Sequence, residues 1–400
     1  MLTKEANDRL TRVGPGTPGG NLLRRYWWPV ATYAELAKEP VLPVKLLGEN
    51  LALYRSPNGE LGLVAERCPH RGASMVYGIP EDGGLRCPYH GWKFSDEGVC
   101  LEQPAEPEDS TFKHRVRIPA YPVQEMGGLI WTYLGPSPAP LLPRFDLFVH
   151  PEVERDIGIT TIPCNWLQAM ENSMDSHHLE WLHMYYTNYV LQRKGSADRL
   201  PVRHHMKAEY DVFEYGISKR RLWEGEAEEN NDEWNVGHPI IFPHTLAVGS
   251  SSFNPQFQIR VPMDDVTTLH YWYMCKPLPA GSVPQPVEDI KVWQNPYKHE
   301  DGKFVVDTVN GQDMMVWITQ GAISDRTTER LGSSDKGVIL YRSLIMSEIE
   351  KVENGLDPMG VVRDPAKNEP WIALPREGSL GYNVRSQDVP AAVKQEYGRA

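Results

Sequence analysis

The sequence predicts an α+β protein with two unlike halves, and three observations carry that expectation. From Val44 to Leu134, short apolar runs alternate with Gly and Pro, the pattern of a small antiparallel β-domain. Residues 135–143 read Gly-Pro-Ser-Pro-Ala-Pro-Leu-Leu-Pro, and their prolines cannot donate ladder hydrogen bonds, so an extended connector is expected there. Beyond it, strand patterns alternate with helical ones. Val338, Tyr341, Ile345 and Ile349 form one stripe, as in a long helix laid on an antiparallel sheet. The expected division is 1–140 and 141–400.

The elements follow in order. Residues 3–13 alternate charged and apolar groups at helical spacing and stop at Gly14-Pro15-Gly16. A second short helix is expected over 21–27, ending before Pro29. Residues 46–55 and 61–66, joined by Ser56-Pro57-Asn58-Gly59, read as a hairpin on their Asn-Gly turn signal. After the connector, 165–186 reads as one helix, strands are expected at 209–223, 245–253, 256–261 and 268–275, and a helix around Asp313. Ser334 is the expected N-cap of a helix over 335–354, and Gly355 its left-handed stop. The acidic run 224–233 reads as a solvated loop, and the tail from Asp357 as a segment lying on another surface or subunit.

Composition narrows the class. The chain has 400 residues, 12 Trp and 18 Tyr, enough for two or three domains with large cores. A net charge of −12 argues against nucleic acid as a partner. Of five cysteines, Cys100, Cys164 and Cys275 are scattered and make no disulfide framework. The N-terminus has no apolar signal core, and no eighteen-residue apolar run occurs. A reduced, soluble, cytoplasmic protein is expected.

Two clusters of metal-ligating residues stand out. The first is Cys68-Pro69-His70, then sixteen residues, then Cys87-Pro88-Tyr89-His90-Gly91-Trp92. Two loops each offering one thiolate and one imidazole suit a [2Fe–2S] cluster with two Cys on one iron and two His on the other. A structural Zn²⁺ is the alternative, although zinc modules usually pair like ligands, and Cys-x-His is too short for a usual knuckle.

The second cluster is Asn172-Ser-Met-Asp175-Ser-His177-His178-Leu-Glu-Trp-Leu-His183. Two His and one carboxylate on one face of an Fe(II) ion leave positions open for O₂ and substrate. His178 and His183 lie about 140° apart on an ideal helix. Both face one ion only if the helix ends or widens between them, for example at a π-bulge. His177 then points elsewhere. Two buried, hydrogen-bonded core histidines are the plainer alternative. The third ligand must come from far along the chain, with Asp313 in Gln312-Asp313-Met314-Met315 preferred over Asp307 and Asp325.

Together these motifs resemble the Rieske ring-hydroxylating oxygenases, over nearly the whole chain, and most resemble the branch of the phthalate dioxygenases. The resemblance implies a Rieske domain followed by a helix-grip catalytic domain. Cys68 and Cys87 would bind one cluster iron and His70 and His90 the other, with Trp92 over the cluster. His178, His183 and Asp313 would hold mononuclear Fe(II). Asp175 would bridge His178 to His90 of a neighbouring chain, and Asn172 would lie near the iron without binding it. It further implies a head-to-tail homo-oligomer, commonly a trimer, with O₂ as co-substrate and electrons from NAD(P)H through a separate flavin and iron–sulfur reductase. No Gly-x-Gly-x-x-Gly follows a strand here, in line with nicotinamide chemistry residing elsewhere. The expected reaction is cis-dihydroxylation of an aromatic carboxylate or diaryl ether, with O-demethylation of a methoxylated aromatic acid as the alternative. An anionic substrate needs a cation, and Arg203, Arg220, Arg221 and Arg260 are all open for that role.

Overall fold

In the computed structural model, residues 1–229, 231–250 and 253–374 are described. The expected lie of the tail therefore falls outside the described residues from 375 onward, as does Asn230 of the acidic run.

The first half holds three small antiparallel sheets. The expected hairpin is present as Glu49–Arg55 and Leu61–Ala65, with Gly59 at φ 90° in its turn. Leu46 belongs to a separate strand, Val41–Leu46, which turns at Leu47-Gly48. The second helix begins earlier than expected, at Pro18, capped by Thr17, and ends at Leu23. A Cβ on Gly20 would meet the Gly14 carbonyl oxygen at 2.3 Å, so close backbone approach demands glycine there. Trp27–Thr32 is a strand, not a helix end, paired with Leu129–Tyr133; Pro29 is tolerated beside a register shift.

The second half is an eight-stranded sheet gripped by helices. The region expected as one strand over 209–223 is a hairpin, His205–Phe213 with Gly216–Trp223, broken at the pair Phe213↔Gly216. Central strands Phe253–Asp264, Thr267–Pro277 and Val153–Ile162 lie side by side, with Arg260 opposite His270 and His270 opposite Thr160. Successive residues point to opposite faces. On one face Phe257 and Tyr273 are buried, each 4.9 Å between ring centroids from Phe148. Phe148 in turn meets Trp131 of the small sheet at 5.0 Å. On the other face Trp272 is buried with Ala169, Met314 and Trp317. Those three come from helices Trp166–Met174 and Val309–Thr319, so this packing sets the two site-bearing helices on the sheet. Each such side chain contributes roughly 1.5–3 kcal/mol by leaving water.

The long helix runs Lys336–Glu353 after a 3-10 turn at Ser333–Asp335, and ends at Gly355 with φ 77°. Val338, Tyr341, Ile345 and Ile349 are its buried stripe. No side-chain cap is made at its start, so Ser334 does not act as the expected N-cap. Among the described residues no helix is long and apolar enough to cross a membrane.

Candidate metal centres

The two cysteine loops repeat one backbone design. The Cys68 N–H donates to Ala73 O at 2.9 Å and Gly72 N–H donates back to Cys68 O at 2.8 Å. Cys87 does the same with Trp92 O and Gly91, at 2.8 and 3.0 Å. Gly72 and Gly91, each four residues after its cysteine, sit at φ 75° and 74°, which a side chain would strain. The rims are closed by the bridge Arg67↔Ser74 and the pair Arg86↔Lys93. This brings the imidazoles of His70 and His90 to 4.5 Å between centroids. Trp92 stacks on His70 at 4.4 Å with planes 4° apart, and Tyr89 covers His90 at 3.8 Å.

Both thiols are buried and not joined in a disulfide. Burial pushes the Cys68 thiol up to about 11, against the pull of the His70 N–H, and the adjacent Cys87 adds to the rise. A metal ion offers the positive charge that would stabilise thiolates in such a buried place. The donor set therefore fits a metal cluster.

The second set is built on a helix that stops and restarts. Helix Trp166–Met174 ends at Asp175, and residues Leu179–Tyr186 form a π-helix that continues into Thr187–Arg193. The single helix expected over 165–186 is thus interrupted, while the irregularity expected between Leu179 and His183 is present. The interruption is local chemistry: the Asp175 carboxylate accepts the His177 N–H at 2.8 Å and the His178 N–H at 3.2 Å, starting a new helix. A π-helix closes i to i+5, which brings residues five apart onto one side.

His178 and His183 consequently face each other at 5.1 Å between centroids. Asp313 joins them from helix Val309–Thr319, its Oδ1 3.1 Å from His183 Nε2 and 3.9 Å from His178 Nε2. The three potential ligand atoms all lie within 4.8 Å of one another, close enough to share one ion at ligand bonds of about 2.0–2.2 Å. The carboxylate raises the pKa of His183 despite burial, whereas burial dominates at His178 and lowers its pKa. The competing aspartates are engaged elsewhere: Asp307 pairs with Lys194 at 2.7 Å, and Asp325 caps its own loop at Thr327. Asn172 Nδ2 lies 3.4 Å from Asp313 Oδ1. His177 stays out of the set, its Nδ1 3.9 Å from Asp175 and its ring 5.4 Å from that of His205.

Asp175 Oδ2 is 3.5 Å from His178 Nδ1, a close approach short of a good hydrogen bond. Burial works to raise the Asp175 pKa, but His178, the His177 amide and Lys219 together bring it down to about 2. Sequence reasoning missed Gln312. Its Nε2 donates to Thr187 Oγ1 and Val306 O, each at 2.9 Å, which turns Oε1 toward His183 Nδ1 at 2.9 Å. The proton then sits on Nδ1, and the bare Nε2 faces Asp313. Its place beside Asp313 in the chain was the only signal.

Paired Cys/His loops in one half and a two-His, one-carboxylate set in the other define a class of protein, the iron–sulfur oxygenases that activate O₂ at a separate iron. Comparison with known proteins agrees. Residues 26–122 match the Rieske [2Fe-2S] domain and 284–371 the LigXa C-terminal domain like family. The chain is 42% identical to the 5,5'-dehydrodivanillate O-demethylase oxygenase subunit of a Sphingobium sp., over 94% of this chain and 87% of that one. It is 33% identical to the 3-chlorobenzoate-3,4-dioxygenase oxygenase subunit of Comamonas testosteroni (90% and 91%) and 30% to the phthalate 4,5-dioxygenase oxygenase subunit of Pseudomonas putida (90% and 89%). The terminal oxygenase of carbazole 1,9a-dioxygenase from Nocardioides aromaticivorans IC177 shares the fold at TM-score 0.62 and 17% identity, over 86% of this chain and 97% of that one. The chain belongs to the Rieske non-haem iron oxygenases, in the phthalate dioxygenase-like branch, and is a terminal oxygenase of an aromatic-degrading system. Its cofactors are a Rieske cluster and a mononuclear iron, with O₂ as co-substrate and electrons supplied by a reductase.

Proposed function

We propose that this chain removes the methyl group from a methoxylated aromatic acid. The O-demethylase name carried by the relative at 42% identity supports demethylation over ring dihydroxylation; the relatives at 33% and 30% are named as dioxygenases. In demethylation, Ar–O–CH₃ with O₂, two electrons and two protons gives ArOH, formaldehyde and water; the bound iron supplies the oxygen activation. Cys68, Cys87, His70 and His90 would hold the cluster within 1–140. His178, His183 and Asp313 would hold the mononuclear iron within 141–400. Asp175 would connect His178 to the partner subunit's His90. Exposed aromatics beside the cluster loops (Tyr77, Tyr89 and Phe112) and along the π-helix (Trp181 and Tyr185) support a head-to-tail ring of copies.

The observation that carries the acid is Arg260. Arg203 is paired with Glu226, Arg220 with Asp211 at 2.6 Å and Arg221 with Glu233 at 2.5 Å. Arg260, 1% exposed, has no carboxylate in hydrogen-bond reach among the described residues. Among the described residues its guanidinium donates only to Gln258 and leaves Nε unpartnered, and it lies over Trp317, one turn along the helix from Asp313. Its cross-strand neighbour His270 has both ring nitrogens unpartnered. Burial lowers the Arg260 pKa to about 10, opposed by Asp313. A buried, unpaired cation is costly, and an aromatic carboxylate would relieve that cost. Such a substrate reaches Arg260 only when the side chains over it move aside.

The test is product analysis with a reductase, NADH and a panel of 3-methoxybenzoate, vanillate, benzoate and phenoxybenzoate. Formaldehyde should appear in step with a phenol from the methoxy acids. A diol formed without formaldehyde would favour dihydroxylation. Arg260→Met should raise KM for the acids more than tenfold and leave that for methoxybenzene unchanged.

A further inference from the structure

Strand Gly216–Trp223 carries a lysine where alternation directs it at the helices. Lys219 is 4% exposed and forms no ion pair with a carboxylate among the described residues. Burying an ammonium is expensive, so its partners matter. Its Nζ donates to Ser173 O at 2.7 Å and lies 3.4 Å from Asp175 O. Those carbonyls are the end of helix Trp166–Met174, where backbone oxygens lack partners and the helix dipole favours a cation.

Asp175 is held on every side. Its N–H donates back to Glu171 O and Asn172 O, both at 3.1 Å, and its carboxylate accepts from the next two helical amides. Lys219 ties this junction to strand Gly216–Trp223, and one residue further on Ser176 Oγ lies 3.1 Å from Tyr210 OH of strand His205–Phe213. Without Lys219 the carbonyls of Ser173 and Asp175 lose their link to the sheet, while Asp175 keeps its local bonds. His183 and Asp313 would keep supports outside that helix: Gln312 holds His183, and Asp313 stands on helix Val309–Thr319.

We propose that Lys219 is a positioning residue for electron transfer: it pins the end of helix Trp166–Met174 to the sheet so that the Asp175 carboxylate meets both His178 and the partner subunit's His90. This rests on the reading of Asp175 as the bridge between copies. A misplacement of 1 Å at such a junction can cost on the order of 10²-fold in rate.

The experiment uses iron-loaded holoenzyme with its cluster reduced, mixed with O₂ and the acid panel above, following cluster reoxidation by its visible absorption. Lys219→Met should keep cluster and mononuclear iron at wild-type stoichiometry and slow reoxidation at least tenfold. Lys219→Gln, which retains a donor for Ser173 O, should be slowed less. Wild-type rates in Lys219→Met would overturn the proposal. So would a loss of rate that merely tracks lost iron, or failure of both variants to accumulate folded, because the lysine would then be structural. Asp175→Asn separates the two readings. If it reoxidises normally, the bridge itself is wrong; if it is blocked while Lys219→Met is normal, only the role of Lys219 falls. A wild-type cluster that no acid reoxidises would overturn both.

Discussion

The two Cys/His loops take their geometry from neighbouring residues, whereas the His178, His183 and Asp313 set takes it from distant ones. Around Cys68 and Cys87 the same two backbone hydrogen bonds, the same glycine offset and the same left-handed φ recur within one short stretch. His183 and Gln312, by contrast, are 129 positions apart, and they meet where helix Val309–Thr319, packed on the sheet through Met314 and Trp317, lies beside the π-helix. The first kind of site is fixed by turn chemistry and tolerates change elsewhere. The second depends on the packed core, and its supporting residues are spread through the chain.

That contrast can be broken in four places. Cys87→Ser should have the largest effect, abolishing the cluster absorption and all turnover while leaving mononuclear iron, so that iron falls from about three to about one per chain. Asp313→Ala should do the reverse: cluster spectrum intact, one iron lost, and turnover down by on the order of 10³ or more. Gln312→Leu should weaken mononuclear iron binding roughly 10–100-fold in a chelator competition, with no change at the cluster. Gly72→Ala should be mildest: its Cβ meets nothing within 4 Å, so only the backbone strain of about 1–2 kcal/mol remains, seen as a lower unfolding temperature. Equal loss of both metal types in any one of these variants would show that the two sites are not separately supported.

The sequence was most legible where a site is local. Cys-x-His and Cys-x₂-His state the cluster loops almost completely, and five-residue spacing of His178 and His183 called for a widened helix that is indeed there. It was least legible where a side chain overrides a periodic pattern. The apolar periodicity of 165–186 runs straight through Asp175, yet that carboxylate caps two amides and breaks the helix. Trp27 looked helical because its neighbours are, but pairing with Tyr133 makes it a strand. Gln312, Lys219 and Arg260 have no local signature, because their significance lies in what the fold sets against them: an imidazole, a helix end and an indole face.

The most direct test co-expresses Cys87→Ser and Asp313→Ala chains under different tags and purifies the mixed oligomer. Each variant alone should be inactive. Cooperation between adjacent copies predicts that the mixture regains activity, since the cluster of one chain can serve the iron of its neighbour. A mixed oligomer as inactive as its parents would contradict it.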